Sequence, residues 1–225
     1  MLYDETAAKA NIRNREGRRV FFLGEKDRLT PSARDWLQRE RIDILPAEQA
    51  RITRYRLPGG GYCEEKPEHM THLCGDVLVP KTHPRIAFRG KVDLLEAELI
   101  LCRLKTGVEG LQEVLTLARR LIRCDVLDEP VGGFTLGGLT EAEQRKRSHF
   151  PQEVYGIAHF MPEAEDGERI AYLNRCRALC RSAELAACHA FADREGNPTR
   201  PDILQALNRM SSYLYILMLE EKAKK

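Results

Sequence analysis

The sequence predicts a mainly α-helical protein, a five-helix bundle preceded by a small α/β N-terminal segment. Two observations predict this fold class. From residue 85 onward, apolar residues recur every three to four positions in successive segments. The first third instead mixes short runs of β-branched and aromatic residues with a single helical pattern. The 225 residues are enough for one substantial domain with a small attachment.

The small α/β segment is expected to cover residues 1–57. Residues 18–23 and 42–45 are rich in strand-forming residues and predict two strands. Between them, Thr30 is placed to cap a helix whose first turn contains Pro31.

A run of breaker residues, Leu-Pro-Gly-Gly-Gly at 57–61, predicts the end of this segment. We therefore expect residues 58–84 to form a linker and loop, and residues 85–225 to form the helical domain.

The helical domain is expected to contain five helices, at residues 86–104, 108–127, 140–147, 168–191 and 201–219. The first has one apolar face that includes Phe88 and Val92 and a second that includes Leu94 and Leu101. Two apolar faces imply neighbours on both sides. This pattern favours an antiparallel bundle.

Composition excludes several classes of function. The 36 basic and 34 acidic residues give a net charge of +2 and are interspersed, so neither nucleic acid nor an anionic membrane is indicated as a partner. The longest apolar run, residues 213–219, is far shorter than the ~20 residues of a membrane span. Seven cysteines without a secretory signal predict reduced thiols and a cytoplasmic location.

Polar residues at helical spacing mark the last two helices. Arg177, Arg181 and Glu184 share one helix face, which is commonly a solvated ion-pair stripe. Apolar neighbours such as Leu173 and the suitability of arginine for phosphate favour a ligand site, and both interpretations stay open. Asn208 lies within the next helix, where asparagine costs roughly half a kcal/mol relative to alanine.

The loop before the bundle contains Lys81, which could reach a bound anion. A single lysine in a loop is more commonly an ordinary surface residue. No Gly-x-x-x-x-Gly-Lys phosphate loop is present in the sequence.

Within twelve residues, the chain also contains four residues of the types that bind zinc: Cys63, His69, His72 and Cys74. Their spacing matches no paired Cys-x2-Cys signature. Metal ligands are left unassigned. His149 and His159 are interpreted as structural.

Three stretches resemble a known family. They are Leu-Thr-Pro-Ser-Ala-Arg at 29–34, residues 71–89 from Thr-His-Leu to Pro-Arg-Ile-Ala-Phe-Arg, and Arg-Pro-Asp-Ile-Leu-Gln-Ala-Leu-Asn-Arg-Met-Ser-Ser at 200–212. Together they resemble the corrinoid adenosyltransferases, most closely the ethanolamine-utilisation branch. The resemblance implies a five-helix bundle that transfers the 5′-deoxyadenosyl group of ATP to the Co(I) of cobalamin, giving adenosylcobalamin and triphosphate.

The resemblance also implies site residues. The residues implied in catalysis are Arg177, Arg181 and Asp93, with Asp93 pairing with Arg177 across a subunit interface. The residues implied in binding the nucleotide or the corrinoid are Thr71, Lys81, Arg85, Glu184, Asn208, Phe160 and Met161. Phe160, with Met161 as second candidate, would displace the lower axial ligand of cobalt, although such a pair commonly just packs under a loop. Magnesium would bridge the phosphates.

The chain departs from the family pattern in two places. Its loop before Thr71 holds Cys63 where relatives have a cysteine-rich metal motif, which leaves a Zn²⁺ or Fe²⁺ requirement in doubt. Residues 67–70 also replace the glycine-rich nucleotide loop of the propanediol-utilisation type.

The expected partners follow from the same resemblance. They are a second and third copy of the chain (a dimer being the alternative), a flavoprotein or other reductant and ethanolamine ammonia-lyase, in the cytoplasm or a bacterial microcompartment. A non-catalytic corrinoid or nucleotide carrier is the alternative function, and a plain structural bundle is a third.

Overall fold

The computed structural model describes residues 1–15, 17–50 and 54–224. They divide into two compact units. The first comprises Met1–His83 and Asp125–Glu129, and the second comprises Pro84–Cys124 and the chain from Pro130 onward. Helices dominate the described chain, which confirms the predicted mainly α class.

The first unit contains short strands and two helices. In chain order its elements are β1 (Leu2–Tyr3), α1 (Glu5–Ala10), β2 (Arg13–Arg15), β3 (Arg18–Leu23), β4 (Arg28–Leu29), α2 (Pro31–Arg39), β5 (Asp43–Pro46), a 3₁₀ turn (Ala47–Ala50), β6 (Tyr55–Arg56), β7 (Tyr62–Cys63), β8 (Met70–Cys74) and β9 (Val77–Pro80). The sheets have the strand orders β1-β4, β2-β3-β5 and β7-β6-β9-β8.

The predicted N-terminal elements are confirmed. Strand β3 covers the predicted residues, and β5 begins one residue later than predicted and pairs with it in parallel, with Phe21 opposite Ile44. Helix α2 begins as expected: the Thr30 hydroxyl accepts a hydrogen bond from the Ala33 N–H at 3.2 Å, and Pro31 occupies the first turn. Phe21 is fully buried in the small core of this unit.

The second unit is built from helices. They are α3 (Pro84–Thr106), α4 (Leu111–Leu127), whose last turn belongs to the first unit, α5 (Glu141–His149), α6 (Pro151–Tyr155), α7 (Glu168–Ala190) and α8 (Pro201–Ala223). Where one short helix was predicted near residues 140–147, the described chain has two. Pro151 disfavours the helical conformation for the residue before it, and Phe150 accordingly has φ −125° and ψ 55°.

The bundle core lies between α3, α7 and α8. Helix α7 packs against both of the others, and Leu95, Leu173 and Leu207 are fully buried there. Residues 213–219 of α8 are all buried, so this helix is covered on every side along two turns.

Helix α3 has the two apolar faces that were predicted, but the chain covers one of them. Phe88 and Val92 are fully buried, whereas Leu94 is 44% exposed and Leu104 80% exposed. The described part of the chain therefore leaves the second face partly exposed.

None of the described helices is both long and apolar enough to cross a bilayer.

Candidate active site

A pocket of about 770 Å³ opens in the second unit, between α5, α7, α8 and the loop that follows α6. Four arginines line it: Arg145, Arg177, Arg181 and Arg209. No Asp or Glu among the described residues lines the pocket. Since the whole chain has nearly equal numbers of basic and acidic residues, this is a local concentration of positive charge.

Helix α7 supplies two of the arginines. Arg177 and Arg181 lie one turn apart on the same face, as the sequence predicts. The guanidinium of Arg177 lies 5.4 Å from the centroid of the Tyr215 ring, a cation–π contact. Burial, and next the charge of Arg181, lower the pKa of Arg177 from its usual value. A polyanion between these arginines would relieve their repulsion.

Helix α8 contributes Asn208, the amide side chain identified as a site candidate from the sequence. Asn208 lines the pocket, and its side-chain N–H donates a hydrogen bond to Glu184 Oε1 at 3.3 Å. Glu184, which does not line the pocket, thus contacts the nucleotide-site candidate Asn208.

Arg209 and Arg145 approach the pocket from α8 and α5. The Nε of Arg209 lies 3.5 Å from Glu141 Oε1, and its backbone carbonyl accepts a hydrogen bond from the side chain of Gln144 at 2.7 Å. Helix α5 begins with a capping box between Thr140 and Glu143, which fixes the start of the helix that carries Arg145.

The loop after α6 forms an aromatic wall. Its Phe160 is half-buried, donates its backbone N–H to the Tyr215 hydroxyl at 3.3 Å, and has the Lys222 ammonium 4.1 Å from its ring centroid. His159 Nδ1 lies 3.1 Å from the same hydroxyl. Met161 is 87% exposed at the pocket. An apolar side chain is thus presented to solvent beside the cationic pocket.

Besides Glu184, four site candidates lie outside this pocket. Asp93 is exposed on α3 and has no ion pair among the residues that the structure describes. Arg85, in the first turn of α3, has its guanidinium 5.8 Å from the Phe191 ring centroid.

The remaining two, Thr71 and Lys81, belong to the first unit. Thr71 lies in β8 opposite Val79, and the Lys81 ammonium lies 3.9 Å from Glu68. The roles assigned to these four residues, like those assigned to the residues that line the pocket, stay predictions.

The four zinc-type residues do not converge. Cys63 is in β7 and both His72 and Cys74 are in β8, at opposite edges of the four-stranded sheet. Strands about 4.8 Å apart separate those edges by roughly 14 Å, too far for one ion. In the part of the chain that is described, no group of three or more His, Cys, Asp or Glu side chains is placed to hold a metal.

The sequence did not single out several pocket residues. Arg145 lies in a largely polar helix, where no apolar pattern singles it out. Tyr215 could have been found, because it follows Asn208 by seven residues and thus shares its helix face. His149 and His159, which were interpreted as structural, also line the pocket.

Fold and pocket together define a helical-bundle protein with an arginine-lined pocket, whose charge and volume suit a polyanionic ligand. The family model for cobalamin adenosyltransferase matches residues 61–221. The corrinoid adenosyltransferase EutT of Salmonella typhimurium is 32% identical over 246 residues, which cover 98% of this chain and 92% of that protein. Its namesake in Escherichia coli K12 is 31% identical over 241 residues, which cover 96% and 90% of the two chains. No solved structure matches the chain.

The chain therefore belongs to the cobalamin adenosyltransferase family and is a transferase enzyme. This confirms the predicted class of reaction. Nothing in the comparisons favours the carrier alternative.

Proposed function

We propose that this protein binds the triphosphate of ATP in the pocket between α5, α7 and α8 and transfers the 5′-deoxyadenosyl group to reduced cobalamin. The single observation that carries this placement is the gathering of Arg145, Arg177, Arg181 and Arg209 around about 770 Å³ that no described carboxylate lines. A pocket of this size suits a nucleotide. Arginine is the residue best shaped for bidentate contact with phosphate oxygens.

The reaction asks little covalent chemistry of the protein. The electron pair of Co(I) attacks C5′ of ATP, a Co–C bond forms, the C5′–O bond breaks, and triphosphate leaves with the bonding pair. Arg177 and Arg181 would hold the leaving triphosphate and stabilise the negative charge that develops on it. Asn208, held by Glu184, would fix the nucleotide beside them.

The loop after α6 would face the corrinoid. Phe160 remains our candidate for displacing the lower axial ligand, with Met161 second. Anchoring of Phe160 by Tyr215 and Lys222 gives it a defined position, and the exposure of Met161 gives it reach. Replacing Phe160 by Ala should slow turnover of cob(II)alamin, supplied with a chemical reductant, far more than that of pre-reduced cob(I)alamin. Equal losses would remove this role.

We further propose a homo-oligomer, with a trimer favoured over a dimer. Support comes from the second apolar face of α3, where Leu94, Leu101 and Leu104 are exposed in the single chain. Asp93 lies on the same helix and would pair with Arg177 of a neighbouring subunit. In this assembly α5 and α6 would together correspond to one helix of the family's five-helix bundle.

The loop of residues 58–84 would contribute to the nucleotide site, with residues 85–225 as the transferase domain and residues 1–57 as an attachment. Thr71, Lys81 and Arg85 would then contact ATP. Mg²⁺ would be held mainly by the phosphates, because no described carboxylate lines the pocket. The separation of Cys63 from His72 and Cys74 argues against Zn²⁺ or Fe²⁺ at those residues.

The likeness to the relatives named EutT supports a proposal for the physiological setting. We propose that the product supplies ethanolamine ammonia-lyase, that a flavoprotein or other reductant delivers the electron, and that the protein works in the cytoplasm or a bacterial microcompartment.

The test is anaerobic incubation of metal-free protein with ATP, Mg²⁺ and chemically reduced cobalamin. Absorbance measures the conversion of the cobalamin to adenosylcobalamin. We expect adenosylcobalamin together with triphosphate. Product that forms only after Zn²⁺ or Fe²⁺ is added would instead indicate that the protein needs a metal site. Corrinoid binding without product under either condition would favour the carrier and overturn the proposal.

A further inference from the structure

Tyr215 connects the aromatic loop to the arginines of the pocket. Its side chain projects from α8 and is 8% exposed, so its polar end must find partners within the protein. The hydroxyl accepts a hydrogen bond from the Phe160 N–H at 3.3 Å and lies 3.1 Å from His159 Nδ1.

The partners of His159 decide the direction of the second bond. His159 Nε2 lies 3.2 Å from the backbone carbonyl of His149, which is an acceptor, so Nε2 carries the hydrogen. In the neutral imidazole, Nδ1 then accepts, and the Tyr215 hydroxyl donates to it. The hydroxyl therefore both donates and accepts, and it ties two successive residues of the loop to α8.

The ring of Tyr215 has a second set of contacts. The Arg177 guanidinium lies 5.4 Å from its centroid, and the His159 ring lies nearly parallel to it, at 5.6 Å and an interplanar angle of 9°. Two turns further along α8, Lys222 covers Phe160 and pairs with Asp166 at 2.7 Å. The hydroxyl thus contacts the loop and the ring contacts Arg177.

We propose that Tyr215 is a positioning residue that couples the loop carrying Phe160 and Met161 to Arg177, so that the anion site and the apolar loop are set together. An effect of this coupling on catalysis rests on the proposed function. Its physical content is independent of that function: loop order depends on the hydroxyl, and the placement of Arg177 depends on the ring.

Two substitutions separate these contributions. Tyr215→Phe removes both hydrogen bonds and keeps the ring under Arg177. Tyr215→Leu removes the ring as well. The matched control is Tyr213→Phe, because Tyr213 is equally buried on the same helix (5% exposed) and does not line the pocket.

The first readout is independent of catalysis. The amide of Phe160 donates to the Tyr215 hydroxyl, so hydrogen–deuterium exchange of residues 157–163 should be about tenfold faster or more in Tyr215→Phe, since two hydrogen bonds are lost. Tyr213→Phe should leave this exchange unchanged. Unchanged exchange in Tyr215→Phe, or an equal increase in Tyr213→Phe, would overturn the proposal.

The second readout measures the coupling. In the wild type, added ATP should change the exchange of residues 157–163, and in Tyr215→Leu it should no longer do so. Tyr215→Phe should reduce turnover of cob(II)alamin about tenfold, with KM for ATP changed less than about threefold. Tyr215→Leu should in addition raise KM for ATP.

Failure of the proposed function gives a different pattern. If the wild type forms no adenosylcobalamin, the proposed transfer reaction is refuted. The exchange results would then still test the positioning role of Tyr215. An active wild type whose turnover and exchange are both unaffected by Tyr215→Phe would refute the positioning role alone.

Discussion

The side-chain amide of Asn208 donates a hydrogen bond to Glu184 Oε1 across 3.3 Å and thereby joins the polar faces of α7 and α8. An alanine at this place in α8 would favour the helix by roughly half a kcal/mol, but it has no donor. The bond explains the asparagine, because it holds an amide at the pocket that Arg177 and Arg181 line.

Replacing Asn208 by Ala should raise KM for ATP about tenfold, the effect of losing a hydrogen-bonding group held by a carboxylate. Steady-state kinetics with saturating cob(I)alamin measure this. Gln205→Ala is the matched control. Gln205 lies on the same helix as Asn208, makes a similar 3.3 Å bond to Glu141 of α5, and does not line the pocket. An equal rise of KM in the control would remove the role of Asn208.

Replacing Arg177 by Lys should reduce kcat/KM for ATP about tenfold to 100-fold, because the bidentate fork is lost while the charge is kept. Burial and Arg181 lower the pKa of Arg177 and would also lower that of the lysine. A lowered pKa means that the lysine loses its charge as pH rises, below the ordinary lysine pKa of about 10.4, so activity relative to the wild type should fall as the pH is raised.

The control for this substitution is Arg175→Lys. Arg175 lies on the same helix, pairs with Glu98 at 2.7 Å and does not line the pocket. A pH-independent ratio for the Arg177 variant would show that this side chain is not placed as described.

Replacing Arg145 by Ala should raise KM for ATP about threefold to tenfold, and the increase should shrink at high salt. Arg145 lines the pocket from α5 and has no ion pair among the described residues. Lys146→Ala removes the neighbouring charge, which does not line the pocket, and should leave KM unchanged. If both variants had the same effect on KM, the cause would be a general loss of positive potential and not the loss of a contact between Arg145 and ATP.

Replacing Asp202 by Asn should lower the free energy of unfolding by about 1–3 kcal/mol at pH 7, since Asp202 accepts from the Arg200 guanidinium and the Val131 N–H, each at 2.9 Å. The Arg200 bond holds the pKa of Asp202 at about 2. Because that pKa is lowered, its stabilisation is present above about pH 4 and is lost as pH falls toward 2.

Urea denaturation at several pH values would test this. The difference between wild type and variant should close between about pH 4 and 2. A difference that persists at pH 2 would show that packing and not the charge is responsible.

Sequence patterns predicted the elements that depend on local chemistry. Apolar spacing was enough to identify the face of α3 through Phe88 and Val92, and Thr30 with Pro31 was enough to place the start of α2. The separation of α5 from α6 was also within reach, because Pro151 restricts the residue before it.

Contacts between distant residues were not predictable in this way. The hydroxyl of Tyr215 meets a loop 55 residues earlier in the chain, and no local pattern records such a pairing. The strand order that separates Cys63 from Cys74 is likewise a property of the folded sheet, since the two are close in sequence.

Binding of inorganic triphosphate, measured by calorimetry at fixed ionic strength, would show whether the arginines of α7 hold the triphosphate. The wild type should bind it in competition with ATP. The Arg177→Ala/Arg181→Ala double variant should bind it about 100-fold more weakly, because two arginine–phosphate contacts are lost, and Arg175→Ala should match the wild type. Equal affinity in all three proteins would mean that Arg177 and Arg181 do not hold the triphosphate.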